Sequence, residues 1–499
     1  MEKHILSKST FQRGRQCYKS LYLYKNKIFL RDPLSTKQKA VFNRGNKVGL
    51  LAQQLFPGGV DVSKLPRLKK GKRSSAQMVV DTQRLIEEGC SIIYEAAFQY
   101  DGVLVILDIL VKENSVWNAY EVKSSAKISN TYKIDAAVQH WVISNAGIKV
   151  NNFFLVNINT SYVKNGSLDV FKLFKLNNVS DAVKQLEGEI EEQIKQLLKI
   201  ELQTTEPDID IGEHCYSPYK CDFIGNCWQH IPKKSVFDIV GAPKEQLFKL
   251  FAAGYKTVND IPDNNELSIE VNKHIASVKK NKPIIDKNAI NTFLSKISYP
   301  VLFVDFEIVM PAIPKYDTTK PYQHLPFQYS LHIKNGSKEP VLHMDYLAET
   351  GEDPRSKFLD SLLRDTKDGG TVLVYDALME KAVLKELRNI FPEKTVAINQ
   401  LLNRMVDLKE PIKNKYFYHP DMNNSFSLKN VNSALFSKLQ YENLEVSSGS
   451  VAMVMYESLE EETDMFKQLE IKEHLRSYCK LDTMVMVKLL EELELQLEE

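Results

Sequence analysis

Half of the chain's six cysteines lie in one short stretch, HCYSPYKCDFIGNCW, and no other feature limits the possible fold as strongly. Cys215, Cys221 and Cys227 follow one another at intervals of six residues. That spacing is too wide for a zinc knuckle, and a disulfide framework would leave one thiol over. Cysteines clustered in this way more often bind metal or do chemistry. If they bind a metal centre, a fourth ligand must come from elsewhere in the chain.

The composition is that of an ordinary globular protein. The chain has 499 residues, of which 43% are apolar and 26% charged, and this length predicts about two to four domains. No apolar run approaches the roughly 18 residues that a membrane span needs. The first residues, MEKHILSKSTFQRG, contain no apolar signal region. These features predict a cytoplasmic protein.

The net charge of +1 excludes no class of partner, because a neutral protein can carry a local basic patch. The best candidate for such a patch is KLPRLKKGKRSS. A solvated loop explains this run equally well. We predict that it binds nucleic acid through Lys69, Lys70, Lys72 and Arg73.

The patterning along the chain predicts an α/β protein with three parts. Residues 1–235 run through a strand-rich centre into a polar helix and the cysteine stretch. Residues 236–295 read as a helical connector, in which LFKLFAAGYKTVNDIPD resembles a helix-hairpin-helix element. Strand and helix patterns then alternate over residues 296–499, which predicts an α/β layer.

A first group of charged residues lies in DGVLVILDILVKENSVWNAYEVKSS, which predicts a β-hairpin. Strand alternation puts Glu121 and Lys123 on one face, and cross-strand pairing can bring Asp108 beside Glu121. Gln139, on the predicted helix YKIDAAVQHWVISNAG, would point towards the same place.

Two carboxylates and an ammonium group suit phosphodiester hydrolysis. Carboxylates bind Mg²⁺ or Mn²⁺, which lower the pKa of a bound water, and a lysine can orient that water. The alternative is chance, since E-x-K is frequent on exposed strands. We predict Asp108 and Glu121 as metal ligands and Lys123 and Gln139 as catalytic residues.

The order of these residues resembles that of PD-(D/E)XK nucleases of the RecB branch. In the iron–sulfur members one cysteine precedes the nuclease core and three follow it, and here Cys17 in FQRGRQCYKSLYLYKN stands at the front. The resemblance implies a [4Fe–4S] cluster on Cys17 and the three clustered cysteines, with zinc as the alternative occupant and unligated thiols as the other. An early histidine common in such nucleases is missing, and Glu95 is the candidate replacement. Cys90 and Cys479 match nothing and are predicted to be small core residues.

A second group begins in the apolar segment YPVLFVDFEIV, where Asp305 and Glu307 would point the same way from one strand. A strand ending in D-x-E resembles the opening motif of DnaQ-like exonucleases. Those enzymes carry Asn-x3-Asp at the next strand-to-helix junction, where this chain has Asp376 and Glu380. The resemblance implies metal binding by both residues, while Asp407 reads as structural.

The closing motif lies in HLRSYCKLDTMVMVKLLEEL, where Tyr478 and Asp482 are four apart on a predicted helix and so face one way. Y-x3-D resembles the last motif of tyrosine-class DEDD exonucleases, in an RNase H-like sheet. Asp305, Glu307, Glu380 and Asp482 would then bind two divalent ions about 4 Å apart, with Tyr478 on the attacking water.

Stretches such as KPYQHLPFQYSLHI and YFYHPDMNNSFSLKNV resemble a bacterial family that joins a RecB-like front half to a DnaQ-like back half. The resemblance implies a metal-dependent nuclease with two nuclease domains that cleaves DNA ends or single strands in repair or defence. The alternatives are a nucleic-acid-binding protein with one or both sites inactive, and an exonuclease that acts on RNA.

Overall fold

The computed structural model describes residues 6–66, 74–263, 265–436, 439, 441 and 444–498. The chain forms two compact units, the first from residues 1–230 and 311–322, the second from residues 231–310 and 323–499. Both contain mixed sheets packed with helices, which confirms the α/β class. Among the described residues, no helix combines the length and the apolar character needed to cross a membrane.

The first unit is built on one large sheet with helices around it. Its strands are β1 (Leu6–Ser7), β2 (Val60–Asp61), β3 (Ile92–Tyr100), β4 (Val103–Glu113), β5 (Val116–Lys123), β6 (Val150–Ile158) and β7 (Phe174–Asn178). Its helices are α1 (Lys8–Gln16), α2 (Tyr18–Asn26), α3 (Thr36–Ala52), α4 (Ser75–Glu87), α5 (Asn130–Asn145), α6 (Val170–Leu173), α7 (Ser180–Glu201) and α8 (Ile224–Cys227).

The sheet of the first unit has the order β2-β3-β4-β5-β6-β7, and β1 pairs with β4. Strands β3, β4 and β5 are antiparallel, whereas β6 runs parallel to β5. Both faces are covered: Ala119 and Leu155 pack on the side of α5, and Tyr120 and Val156 on the opposite side. Because side chains alternate along a strand, Glu121 shares the α5 side with Ala119.

The second unit contains a five-stranded sheet and the long final helix. Its strands are β8 (Ile284–Ile285), β9 (Val301–Val309), β10 (Leu325–Lys334), β11 (Val341–Leu347), β12 (Thr371–Val374), β13 (Met405–Asp407) and β14 (Phe417–Tyr418). Its helices are α9 (Lys244–Ala252), α10 (Ile269–Lys280), α11 (Lys287–Leu294), α12 (Arg355–Asp365), α13 (Leu378–Ile390), α14 (Thr395–Asn403), α15 (Glu410–Lys413), α16 (Leu428–Leu435), α17 (Gly449–Ser458) and α18 (Met465–Glu498).

The main sheet of the second unit has the order β11-β10-β9-β12-β13. β9, β10 and β11 are antiparallel, and β12 and β13 continue the sheet parallel to β9. Along β9, Phe303 packs on the side of α18 while Val304 and Phe306 pack on the side of α12. The same alternation places the two acids of β9, Asp305 and Glu307, on the α18 side.

A two-glycine turn sets the start of β12. Gly369 and Gly370 have φ angles of +83° and +73°, which L side chains rarely adopt. A Cβ at Gly370 would lie 1.8 Å from the carbonyl oxygen of Pro300, whereas one at Gly369 would meet nothing within 4 Å. The backbone N–H of Thr371 donates to the Pro300 carbonyl at 3.1 Å. The turn therefore joins β12 to the start of β9.

We expect Gly370→Ala to destabilise the second unit by about 2–4 kcal/mol, since it adds a backbone collision to the left-handed strain. Gly369→Ala is the matched control and should cost only about 1 kcal/mol, because it adds the strain alone. Urea unfolding followed by far-ultraviolet circular dichroism measures both. Equal losses of free energy of unfolding would contradict the close approach at Gly370.

Candidate functional site

The acids of the second unit meet at one edge of its sheet. Asp305 and Glu307 lie near the carboxyl end of β9, Glu380 lies in the first turn of α13, and Asp482 lies within α18. Because β9 and β12 are parallel, their carboxyl ends share an edge, and α13 begins just beyond that of β12. Glu307, Glu380 and Asp482 keep only 4–7% of their surface exposed. The predicted acids are therefore brought together from three separate elements.

Two tyrosines and a cysteine complete this pocket. The hydroxyl groups of Tyr441 and Tyr478 both donate to the Asp482 carboxylate. The Cys479 thiol lies 3.7 Å from Asp305 Oδ2, and Asp305, Glu307 and Cys479 each offer a ligand atom within 4.8 Å of the others. Burial, reinforced by the charges of Asp305 and Glu307, raises the pKa of Cys479 well above its usual value. Cys479 is buried as predicted for a core residue, but it lies against the acids.

Burial raises the pKa of all four acids in the pocket. Burial, reinforced by the charges of Asp482 and other acids of the pocket, raises the pKa of Asp305 and Glu307 well above their usual range. Burial also raises the pKa of Glu380 to about 8 and that of Asp482 to about 6. Glu380 Oε2 is buried without a hydrogen-bond partner among the described residues. These oxygens would be stabilised by a bound cation.

Lys429 is a member of this pocket that sequence reasoning missed. It lies on α16, and its ammonium group is 5.1 Å from the ring centroid of Tyr441 and 5.5 Å from that of Tyr478. Burial lowers its pKa, while the charges of Asp482 and Glu307 oppose that shift. No sequence spacing ties Lys429 or Tyr441 to the acids. The aromatic contacts are what mark both residues.

Asp376 does not join the buried acids. It has a φ angle of +68°, its side chain is 52% exposed, and it forms an ion pair of 2.6 Å with Lys409. Asp407 accepts hydrogen bonds from the backbone N–H groups of Asp376, Ala377 and Lys409, at 2.9–3.3 Å. The left-handed turn held by Asp407 directs Asp376 towards Lys409 instead of the pocket. Asp407 thus acts structurally, as the sequence indicated.

In the first unit, the predicted hairpin brings the candidate ligands together. β4 and β5 pair with Ile109 opposite Tyr120, and the backbone N–H of Val122 donates to Asp108 Oδ2 at 2.6 Å. Lys123 Nζ lies 2.9 Å from Glu121 Oε1 and 2.7 Å from Asp135 Oδ2. Asp135, on α5, is a residue that the sequence reasoning missed although it lies one helical turn before Gln139.

A second lysine reaches the same carboxylate from the start of the chain. Lys8 Nζ, at the first position of α1, lies 2.5 Å from Glu121 Oε1. One turn later, Gln12 Nε2 donates to Asp135 Oδ1 at 2.8 Å. Nothing in the spacing of the sequence places α1 here. The sequence reasoning therefore assigned no role to Lys8 or Gln12.

The two lysines lower the pKa of one acid of the first unit, whereas burial raises the pKa of two others. Burial favours protonation of Glu121, but the charges of Lys123 and Lys8 outweigh it and lower the pKa of Glu121 to about 2. Burial, and then the charge of Glu121, raise the pKa of Asp108 well above its usual range. Burial, helped by the charges of Asp61 and Glu121, raises the pKa of Glu95 to about 7. Glu95 therefore lies in the electrostatic field of this group.

Gln139 is fully buried on α5. Neither its amide oxygen nor its amide nitrogen has a hydrogen-bond partner among the described residues, and the same holds for Glu121 Oε2. Residues four apart on a helix share a face, so Gln139 lies on the face of α5 that carries Asp135. Buried polar atoms without partners are costly, and here they belong to residues predicted for the site.

The four predicted cysteine ligands line one cavity. It has a volume of about 250 Å³ and is bounded on one side by Cys17, between α1 and α2, and on the other by the segment from His214 to His230. All four thiols are free, and burial raises the pKa of Cys17, Cys221 and Cys227. Among the described residues, the one set of three candidate ligands within 4.8 Å lies in the second unit, so no three of these sulfur atoms are that close.

Polar contacts hold the two walls of this cavity together. Gln16 Nε2 donates to the carbonyl groups of His214 and Tyr219 at 2.6 and 2.7 Å. Arg13 and Arg31 both form ion pairs with Asp222. The amino-terminal segment is therefore joined to the cysteine stretch across almost 200 residues of sequence.

The predicted nucleic-acid-binding residues Lys69, Lys70, Lys72 and Arg73 lie outside the described residues.

The comparisons with known proteins match only part of the chain. A family model described as a domain of unknown function, DUF2779, matches residues 302–427. The matched stretch begins within β9 and includes Asp305, Glu307 and Glu380, but it ends before Tyr478 and Asp482. No curated protein matches the chain.

The raised pKa of Glu380 predicts a pH-dependent stability in the presence of EDTA. With its pKa raised from 4.5 to about 8, the folded state binds more protons than the unfolded state between those values. The stability contributed by protonated Glu380 is therefore present at pH 4.5 and lost as the pH rises through 8. Glu380→Gln should match the parent protein at pH 4.5 and exceed its Tm by about 2–6 °C at pH 8.5.

Thermal denaturation across this pH range measures the effect. Glu393→Gln, which alters an exposed carboxylate just beyond α13, is the control and should leave the profile unchanged. A Glu380→Gln profile parallel to that of the parent protein would contradict the buried environment of Glu380.

Proposed function

We propose that the chain is a metal-dependent nuclease with two nuclease sites, one in each unit. The observation that carries this proposal is the pocket of the second unit, where Asp305, Glu307, Glu380 and Asp482 gather from β9, α13 and α18. Buried acids without enough partners are expected where a protein binds divalent cations. Phosphodiester hydrolysis is the chemistry that such a pocket, closed by a tyrosine, serves best.

The topology of the second unit supports a DEDD-type exonuclease. The sheet places β9 centrally, with the antiparallel β10 and β11 on one side and the parallel β12 and β13 on the other. This is the arrangement expected of an RNase H-like sheet. Tyr478 and Asp482 lie one helical turn apart on α18 and share a hydrogen bond. The order of motifs in the sequence and the order of strands in the sheet thus favour the same family.

The first unit supports a PD-(D/E)XK nuclease by the same kind of argument. Its central elements follow in the order α4, β3, β4, β5, α5 and β6, with β3 to β5 antiparallel and β6 parallel to β5. Asp108 and Glu121 come from the two arms of the hairpin, and Lys123 is next to Glu121. This is the arrangement expected of the family that the sequence resembles.

The donor atoms in both pockets suit Mg²⁺ or Mn²⁺, which prefer oxygen ligands. In the second unit Asp305, Glu307, Glu380 and Asp482 would hold the ions, and in the first Asp108 and Glu121 would do so. The partnerless oxygens Glu121 Oε2 and Glu380 Oε2 fit this role. When bound, such ions polarise the phosphate and lower the pKa of a bound water.

The protein's own side chains prepare each pocket for a phosphodiester. In the second, the hydroxyl groups of Tyr441 and Tyr478 orient the Asp482 carboxylate, and Lys429 supplies the positive charge that a phosphate group requires. In the first, Asp135 holds Lys123 beside Glu121. Gln139, buried on the same helix face, offers both a donor and an acceptor.

For the thiol cavity we propose a [4Fe–4S] cluster bound by Cys17, Cys215, Cys221 and Cys227. In a tetrahedral zinc site, with Zn–S bonds of about 2.3 Å, the sulfur atoms lie roughly 3.8 Å apart. No three of the thiols here lie within 4.8 Å of one another among the described residues, and all four line a cavity of about 250 Å³. A four-iron cluster needs that larger space, and it would stabilise the join between α1 and the cysteine stretch.

The nuclease proposal predicts that a substitution can abolish the activity of each site separately. With Mg²⁺ or Mn²⁺, the protein should degrade end-labelled DNA, and EDTA should abolish the activity. Asp305→Asn should remove the second activity and Glu121→Gln the first, each by about 100-fold or more, since each loses a metal ligand. Parallel digestion of single-stranded and double-stranded DNA and RNA identifies the substrate.

Glu393→Gln in the second unit and Asp169→Asn in the first, which change acids outside the two pockets, are controls for the loss of a single charge. Asp169 caps the short helix α6. Metal-dependent DNA binding without cleavage would contradict the nuclease proposal and indicate a nucleic-acid-binding protein. Cleavage of RNA alone would show that the substrate is RNA and not DNA. Activity that survives the double variant Asp305→Asn/Glu121→Gln would contradict both sites.

The cluster proposal predicts a brown protein after anaerobic purification, with about four iron atoms and four sulfides per chain. Replacing Cys17 by serine should lower the iron content as much as replacing Cys221, because the two thiols would bind the same cluster. Cys90→Ser is the matched control and should keep its iron. A colourless protein with one zinc ion per chain would contradict the iron assignment.

A further inference from the structure

The cluster of charged residues in the first unit contains a second ammonium group, which does not come from the Glu121-x-Lys123 motif of β5. Lys8 Nζ and Lys123 Nζ lie 2.5 and 2.9 Å from the same atom, Glu121 Oε1. The two lysines are 115 residues apart, and they enter from different elements, α1 and β5. One carboxylate oxygen therefore accepts two cationic donors.

The two ammonium groups differ in how firmly they are held. Lys123 also binds Asp135 at 2.7 Å and lies 5.0 Å from the ring centroid of Tyr132. For Lys8, Glu121 is the one carboxylate within ion-pair distance among the described residues. The Lys8 side chain is 26% exposed, compared with 15% for Lys123. Lys8 can therefore leave Glu121 towards solvent, whereas Lys123 is held on two sides.

The backbone beneath Lys8 is fixed. Leu6 pairs with Val103 of β4, and Ser7 caps α1 through a reciprocal hydrogen-bond pair with Thr10. Leu6 and Phe11 are fully buried in the core of the unit. A long, partly exposed side chain on such a rigid base can move over a few ångströms without moving its helix. This position is consistent with a binding role and is unlike that of a lysine on a mobile tail.

A metal ion in the working site would add positive charge beside Lys8, which favours the approach of a further anion. Lys8 and Lys123 together balance Glu121 and Asp135 in the ion-paired arrangement. A divalent cation on the partnerless Oε2 of Glu121, as proposed above, would repel the Lys8 ammonium group on Oε1 of the same carboxylate. A nucleic-acid backbone presents phosphate oxygens at this place, and an ammonium group is a common phosphate ligand.

We propose that Lys8 is a phosphate-binding residue of the first site. Its ammonium group would leave Glu121 and bind a phosphate oxygen of the nucleic-acid strand. The inference rests on the proposed nuclease function and names the residue that holds the substrate. Lys123 would remain on Glu121 and Asp135 as the fixed cation. No covalent bond is made or broken in this exchange.

Binding of a fluorescein-labelled oligodeoxythymidylate in Ca²⁺, measured over a range of salt concentrations, tests the exchange without depending on cleavage. Lys8→Met should weaken binding by about three- to tenfold and reduce the slope of log K against log salt by about 0.7, the value for one lost contact to a single strand. Lys8→Arg should retain the slope. Arg15→Met is the matched control, since Arg15 lies on the same helix and its nearest carboxylate is Glu189 at 4.0 Å.

Mn²⁺ binding, measured by calorimetry in an Asp305→Asn background, gives a second readout. Lys8→Met should tighten Mn²⁺ binding by about three- to tenfold, because the ammonium group competes with the metal for Glu121. If Lys8 had only a structural role, replacing it would weaken the binding of both Mn²⁺ and the oligonucleotide. An unchanged salt slope, or weaker Mn²⁺ binding, in Lys8→Met would overturn the role of Lys8. If the parent protein bound neither Mn²⁺ nor the oligonucleotide, the nuclease proposal itself would fail.

Discussion

The burial of four carboxyl groups in one pocket is the constraint on which the candidate site of the second unit depends. Burying an ionised carboxyl group is costly unless it is paired, and Asp305, Glu307, Glu380 and Asp482 share one pocket with Lys429 as the nearby cation. The fold tolerates this because the acids stand on three well-packed elements, β9, α13 and α18. The pocket is therefore held by well-packed elements, and its acids favour the binding of a cation.

The negative charge of the two pockets is neutralised in different ways. In the first unit Lys8 and Lys123 neutralise Glu121, whose pKa falls to about 2. In the second, burial raises the pKa of Glu380 to about 8, so this acid is protonated below that pH. A divalent cation would compete with lysines for Glu121 and with a proton for Asp108 in the first pocket, and with protons in the second. Metal binding should therefore respond to pH in both units.

The sequence predicts those features that follow from local periodicity. The α/β class follows from strand and helix patterns, and the four-residue spacing of Tyr478 and Asp482 puts both on one face of α18. Lys429 and Lys8 were missed because their contacts depend on tertiary packing between distant segments. Asp376 was predicted to bind metal from the resemblance to an Asn-x3-Asp motif, but a left-handed turn directs its side chain towards Lys409.

The central claim is that each unit holds divalent cations on its buried acids. Crystals of the full chain grown with manganese, with anomalous diffraction recorded above the manganese absorption edge, test it most directly. The account predicts anomalous peaks against Asp305, Glu307 and Asp482 in one unit and against Asp108 and Glu121 in the other. Manganese bound only at other places, with both groups of acids in contact with protein alone, would contradict it.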